Sequence, residues 1–73
     1  MMNHNYYILF SIDNSLKARA VMLTPEECTQ RGLYDGWSED GDIRKNTPDR
    51  YLDGFDTKKE ALEALRDIRA GRY

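Results

Sequence analysis

Two helix starts are written into this chain, Thr24-Pro25-Glu26-Glu27 and Thr57-Lys58-Lys59-Glu60. In each, a threonine is followed three residues later by a glutamate. The threonine oxygen can accept one of the amide protons that a first helical turn leaves unpaired, and the glutamate can reach back to the amide of the cap. Together they divide the 73 residues into a hairpin, a short helix, an irregular acidic middle and a C-terminal helix. The expected fold is α+β: a small antiparallel sheet of about three strands packed on the C-terminal helix, with a short second helix and a long acidic loop.

The segment from Tyr6 to Ile12 is rich in aromatic and β-branched residues and reads as a strand. Tyr6, Ile8, Phe10 and Ile12 share one face, and Tyr7, Leu9 and Ser11 the other. Asp13-Asn14-Ser15 supplies turn chemistry, and Leu16 to Leu23 returns as a second strand with Lys17, Arg19, Val21 and Leu23 on one face. The first helix is expected over Pro25 to Arg31, stopped by Gly32. Leu23 and Cys28 have the spacing of a hydrophobic staple, and Leu33 closes on Cys28 from the other end.

Three turn signals, Asp35-Gly36, Asp40-Gly41 and Asn46-Thr47-Pro48, mark residues 34–50 as loop. Trp37-Ser38-Glu39 and Asp42-Ile43-Arg44 are expected to pair as a small hairpin, and Arg50-Tyr51-Leu52 to form a third strand ended by Asp53-Gly54. The second helix, Lys58 to Ala70, carries an apolar stripe of Ala61, Leu62, Leu65 and Ile68, with Glu60 at its start and Arg66, Arg69 and Arg72 near its end.

One domain, residues 1–73, is all this length supports, with 1–5 read as a disordered tail. A core this small rarely yields more than ~3–5 kcal/mol, so self-association as a homodimer would add stability. The net charge of −2 does not ask for nucleic acid or an anionic membrane. Residues 35–56 nevertheless hold seven acids against three bases. No apolar run is long enough to span a bilayer and no secretory signal pattern opens the chain. A single cysteine excludes an internal disulfide and fits a reducing cytoplasm.

Catalytic constellations are missing from the pattern. Cys28 is the only thiol and His4 the only imidazole; a nucleophile needs a base beside it, and His4 lies in the tail. Cys28 is accounted for by packing. A zinc site wants three or four Cys or His ligands. Glu39, Asp40 and Asp42 lack the calcium-loop spacing. The chain is therefore expected to be no enzyme and to carry no metal or cofactor.

Two surfaces remain. Tyr34, Trp37, Ile43 and Tyr51 stand within the acidic stretch 35–56; of these Tyr34, Trp37 and Tyr51, with Glu39, Asp40 and Asp42 as a charged rim, have the make-up of a protein-binding patch. The same residues also suit a scaffold role, with Trp37 and Tyr51 closing the core beneath a long loop. The second surface is the sheet face of Tyr7, Ser11, Lys17 and Arg19, extended by Lys58 and Lys59, where basic and aromatic groups could read nucleic acid.

The eight residues Gly54-Phe55-Asp56-Thr57-Lys58-Lys59-Glu60-Ala61 resemble the strand-to-helix junction of the arm-binding domains at the N-termini of tyrosine recombinases. That resemblance implies a three-stranded sheet on one helix, binding DNA through the sheet. The chain departs from that pattern in being acidic, in having an additional helix between strands and in lacking a dense basic sheet. The leading expectation is a non-enzymatic binding protein that occupies a surface of a protein partner, a regulator or inhibitor of the kind phages and mobile elements direct at host proteins. The alternative is a nucleic-acid-binding module using the sheet face.

Overall fold

The structure is a computed structural model and describes residues 2–13 and 18–71. The turn read at Asp13-Asn14-Ser15 lies largely outside them, as do Leu16 and Lys17. The described chain runs β1 (Tyr6–Ile12), β2 (Ala18–Leu23), α1 (Pro25–Gln30), β3 (Ser38–Glu39), a 3-10 turn (Ile43–Lys45), β4 (Asp49–Phe55) and α2 (Lys58–Arg69). The strands form one antiparallel sheet in the order β2-β1-β4-β3. The α+β class is as expected, with one strand more than expected.

Both threonines cap their helices. At α1 the exchange is reciprocal: the Glu27 amide donates to Thr24 Oγ1 at 3.2 Å, and the Thr24 amide to Glu27 Oε1 at 3.1 Å. At α2 the Glu60 amide donates to Thr57 Oγ1, while the Thr57 hydroxyl itself donates to the Glu60 carboxylate at 2.8 Å. Gly32, at φ 75°, turns the chain so that the Leu33 amide donates to the Cys28 carbonyl at 2.8 Å and the Gly32 amide to that of Thr29. That is the paired closure of a Schellman stop.

The sheet separates two apolar clusters. On one face Ile8 and Phe10 of β1 pack with Ala61, Ala64 and Ile68 of α2, joined by Ala20, Met22, Tyr51, Phe55 and Leu65. The helix thus lies on the Ile8/Phe10 face. Its buried stripe is Ala61, Ala64 and Ile68 with Leu65 half-buried, at the i, i+3, i+4, i+7 spacing. Leu62, expected in that stripe, points outward with 46% exposure. On the other face Tyr7, Leu23 and Leu52 pack with Cys28 of α1 and with Leu33, against which Met2, Leu9 and Trp37 rest.

Three local readings are corrected. Ser38 and Glu39 pair with Tyr51 and Arg50 of β4, not with residues 42–44, which belong to the 3-10 turn region instead. Strand β4 runs through Asp53 and Gly54, because β1 offers them the partners Ile8 and Tyr7. Residues 2–5 are held against the domain where a disordered tail was expected. Their partners, Asp35 and Asp56, lie more than 30 residues away, beyond the reach of local composition. Among the described residues no helix is long and apolar enough to cross a membrane.

Candidate protein-binding surface

The sheet face opposite α2 is covered at one end only. Strand pairing sets its residues in rows. The first row, Leu23, Tyr7 and Gly54, lies under α1 and the N-terminal residues. The second row aligns Val21, Leu9 and Leu52. Trp37 extends it, its carbonyl accepting the Leu52 amide at 2.9 Å. The third aligns Arg19, Ser11, Arg50 and Glu39. Short α1 stops before the second row, so Val21 is 43% exposed and Leu9 and Trp37 are only half-buried. The apolar row is therefore open to solvent at Val21 and in part at Leu9 and Trp37, with Leu52 buried within it, beside a charged row.

Trp37 is positioned by a turn in which its amide donates to the Tyr34 carbonyl at 2.9 Å, with Gly36 at φ 79°. A positive φ at the third residue of such a turn favours glycine. Tyr34 is left 57% exposed at the turn's start. The Arg50 guanidinium lies 5.6 Å from the centre of the Trp37 ring and donates to Glu39 Oε2 at 2.7 Å. An arginine over an indole face is attracted by the ring's negative quadrupole. The pair is solvent-exposed, so it orients the ring more than it stabilises the fold.

The structure divides the six residues expected at a protein-binding patch. Tyr34, Trp37 and Glu39 come together. Tyr51 does not join them: it faces α2 and stacks on Phe10 at 4.7 Å with 12° between ring planes. Burial, helped by the charge of Asp53, raises its hydroxyl pKa. Asp42 serves as a cap, its carboxylate accepting the Arg44 amide at 2.9 Å. Asp40 is exposed in the loop after β3. Leu9, Val21 and Arg50 belong to this surface and were absent from the expected patch. Strand alternation marks Leu9 and Val21; Arg50 needed the β1–β4 register.

The residues proposed for nucleic acid are also separated. Tyr7 is fully buried, its hydroxyl donating to Asp35 Oδ1 at 2.7 Å. Lys17 lies outside the described residues. Arg19 is exposed on the open face, whereas Lys58 and Lys59 line a shallow hollow on α2 with Leu62 and Arg66, across the sheet. Cys28 is fully buried, and burial followed by the charge of Glu27 raises its thiol pKa. Among the described residues no three His, Cys, Asp or Glu side chains gather as a metal-ligand set.

The covered end is closed by a strap. The Asn3 amide donates to Asp35 Oδ2 at 2.6 Å, the His4 amide to the Tyr7 hydroxyl at 2.9 Å, and Asn5 Nδ2 to the Asp56 carbonyl. His4 Nδ1 lies 2.8 Å from Asp56 Oδ1. Its ring sits on Gly54 so closely that a β-carbon there would overlap it. The bond to Asp56 raises the His4 pKa against the effect of burial, with smaller help from Asp35 and Asp53. Burial opposes ionisation of Asp35, but the Tyr7 hydroxyl and Asn3 amide outweigh it and hold the carboxyl below its usual value.

The signs set a pH window. The His4 contribution is fully present below its unfolded value of 6.5 and is lost as pH rises through the raised folded value. The Asp35 contribution is present above 3.8 and is lost as pH falls through the depressed one. Protection of the amides of residues 3–5, read as the exchange rate relative to the intrinsic hydroxide-catalysed rate at each pH, should therefore be greatest between these values and fall above neutrality. His4→Ala should abolish the alkaline fall in protection. Gly54→Ala should expel the ring, and its effect should not add to that of His4→Ala. An equal alkaline fall in protection in His4→Ala and the parent would show that the imidazole does not hold the strap.

No protein-family model matches the chain, and searches of curated proteins and of solved structures give no significant match.

Proposed function

We propose that this is a non-enzymatic protein-binding domain, a small regulator or inhibitor that docks through the uncovered half of its sheet. The observation behind this reading is the partly exposed row Val21, Leu9 and Trp37, with buried Leu52 between the last two, bordered by Arg19, Arg50 and Glu39. A tryptophan and an arginine at the join of an apolar strip and a charged rim have the composition of an interface hot spot. The exposed Arg19 favours a partner that presents an acidic group beside an apolar ridge. Separation of Tyr7, Arg19, Lys58 and Lys59 over two sides of the sheet leaves the nucleic-acid alternative with less support.

The test is capture of partners from source-cell lysate by tagged protein, followed by affinity measurement on the purified pair. Trp37→Ala should weaken binding by at least ~2 kcal/mol, about 30-fold. Val21→Glu should weaken it comparably while leaving the melting midpoint near that of the parent, because Val21 is partly solvated already. Added salt should slow association more than it speeds dissociation. Normal binding by a folded Val21→Glu protein would place the interface elsewhere, and enrichment of nucleic acid over protein would reverse the assignment.

A further inference from the structure

We propose that the solvent-facing flank of α2 is a docking groove for an acidic amphipathic helix of a protein partner. Two adjoining hollows run along that flank. The first lies among Lys58, Lys59, Leu62, Glu63 and Arg66, and the second among Leu62, Leu65, Arg66, Arg69 and Ala70. Each contains a set at i, i+3, i+4 and i+7: Lys59, Leu62, Glu63 and Arg66 in the first, Leu62, Leu65, Arg66 and Arg69 in the second. Four residues at that spacing make the hole that receives one side chain of a facing helix. Successive holes along one helix match apolar side chains three or four positions apart on another. Leu62, shared by both holes, is 46% exposed, and Leu65 is half-buried at the border of the α2 core cluster. These two leucines give the groove its apolar part.

The charges of α2 are sorted by sign. Helical periodicity sets Lys58, Lys59, Arg66 and Arg69 around Leu62, and Glu60, Glu63 and Asp67 on the neighbouring sector. Of the acids only Glu63 borders the groove, so four bases there face one acid. Opposite charges at i, i+4 support a helix and like charges weaken it; Glu63 and Asp67 are like charges at that spacing. Lys58 and Lys59 stand in the first turn, where a positive charge opposes the helix dipole. Local helix stability therefore does not account for this arrangement. Arg66 and Asp67 form an exposed pair at 3.9 Å, which does little to neutralise the arginine. Among the described residues Lys58, Lys59 and Arg69 have no ion-pair partner.

Bases and leucines together select the occupant. A helix with carboxylates flanking an apolar ridge complements both. A nucleic-acid backbone would satisfy the bases but leave Leu62 against phosphates and Glu63 against like charge. A lipid surface needs a free apolar helix face, and that of α2 is buried on Ile8 and Phe10. The α2 of a second copy would set bases against bases. The groove lies across the sheet from Val21, Leu9 and Trp37 and does not depend on the sheet-face reading.

The experiment selects a library of displayed random peptides on the full chain, then titrates the enriched peptides by fluorescence anisotropy. These peptides should carry apolar residues three or four positions apart flanked by Asp or Glu, and should gain helical circular dichroism on binding. Leu62→Ser and the Arg66→Glu/Arg69→Glu double variant should each bind them at least ~10-fold more weakly. Leu62→Ser should keep the parent melting midpoint, so its loss of binding cannot be misfolding. Val21→Glu should bind the peptides as the parent does, which separates this groove from the sheet face. No enriched peptide, enrichment of peptides without carboxylates, or equal binding by Leu62→Ser would overturn the groove while leaving the sheet-face proposal standing. A mixed-sequence DNA duplex that binds more tightly than the peptides, and fails to bind the double variant, would overturn it in favour of a phosphate backbone.

Discussion

Phe10→Ala should leave this chain without a cooperative unfolding transition at room temperature. Phe10 is 1% exposed at the centre of the sheet, paired with Ala20 and Tyr51 and stacked on the Tyr51 ring. Truncating a buried phenylalanine costs about 3–5 kcal/mol, and the lost ring pair adds about 0.5–1.5 kcal/mol. A single core of this size supplies about that total. Circular dichroism against urea is the measurement, with Ile43→Ser as a surface control that should stay near the parent. Leu65→Ala, at a half-buried position, should cost less than Ile68→Ala. A Phe10→Ala protein that melts cooperatively near the parent midpoint would refute this packing.

Gly41→Ala should be the most damaging of the glycine substitutions in the sheet and its loops. The added methyl would meet the Thr47 carbonyl, Pro48 and the Asp49 amide, all main chain at the entry to β4. Main chain cannot step aside as the His4 ring at Gly54 can. Overpacking of this kind costs about 1–3 kcal/mol. The loss should appear first as faster exchange at the Asp42 and Thr47 amides, whose bonds close the loop, and then as a lower melting midpoint. A parent-like midpoint with unchanged exchange would mean that the loop has room the geometry does not show.

The candidate surface was legible in part. Trp37 and Tyr34 are conspicuous as aromatics within a charged stretch, and alternation assigns Leu9 and Val21 to one face. Arg50 and Tyr51 are adjacent in sequence, and only pairing with β1 decides which belongs with Trp37. The register puts Arg50 opposite Ser11 and Tyr51 opposite Phe10, so the arginine reaches the indole and the tyrosine enters the α2 core. The burial of Tyr7 has another source, cover from distant segments. Its strand face was read correctly, but its burial comes from Cys28, Leu33 and the strap.

What the chain determines by itself is local. Helix starts follow from Thr24 and Thr57, stops from Gly32 and Gly71, and the helix-facing side of β1 from alternation, because each depends on hydrogen bonds or periodicity within a few residues. Tertiary structure decided the rest. Pairing of β1 with β4 joins residues more than 30 positions apart, and contacts of Asn3 with Asp35 and of His4 with Asp56 join the strap to distant segments. One-residue shifts in strand register exchange the faces of every side chain in the strand. No local preference of Asp49–Phe55 discriminates between those registers. The shared burial of Ile8, Phe10, Tyr51 and α2 on one side, and of Tyr7 and Leu52 on the other, selects the one observed.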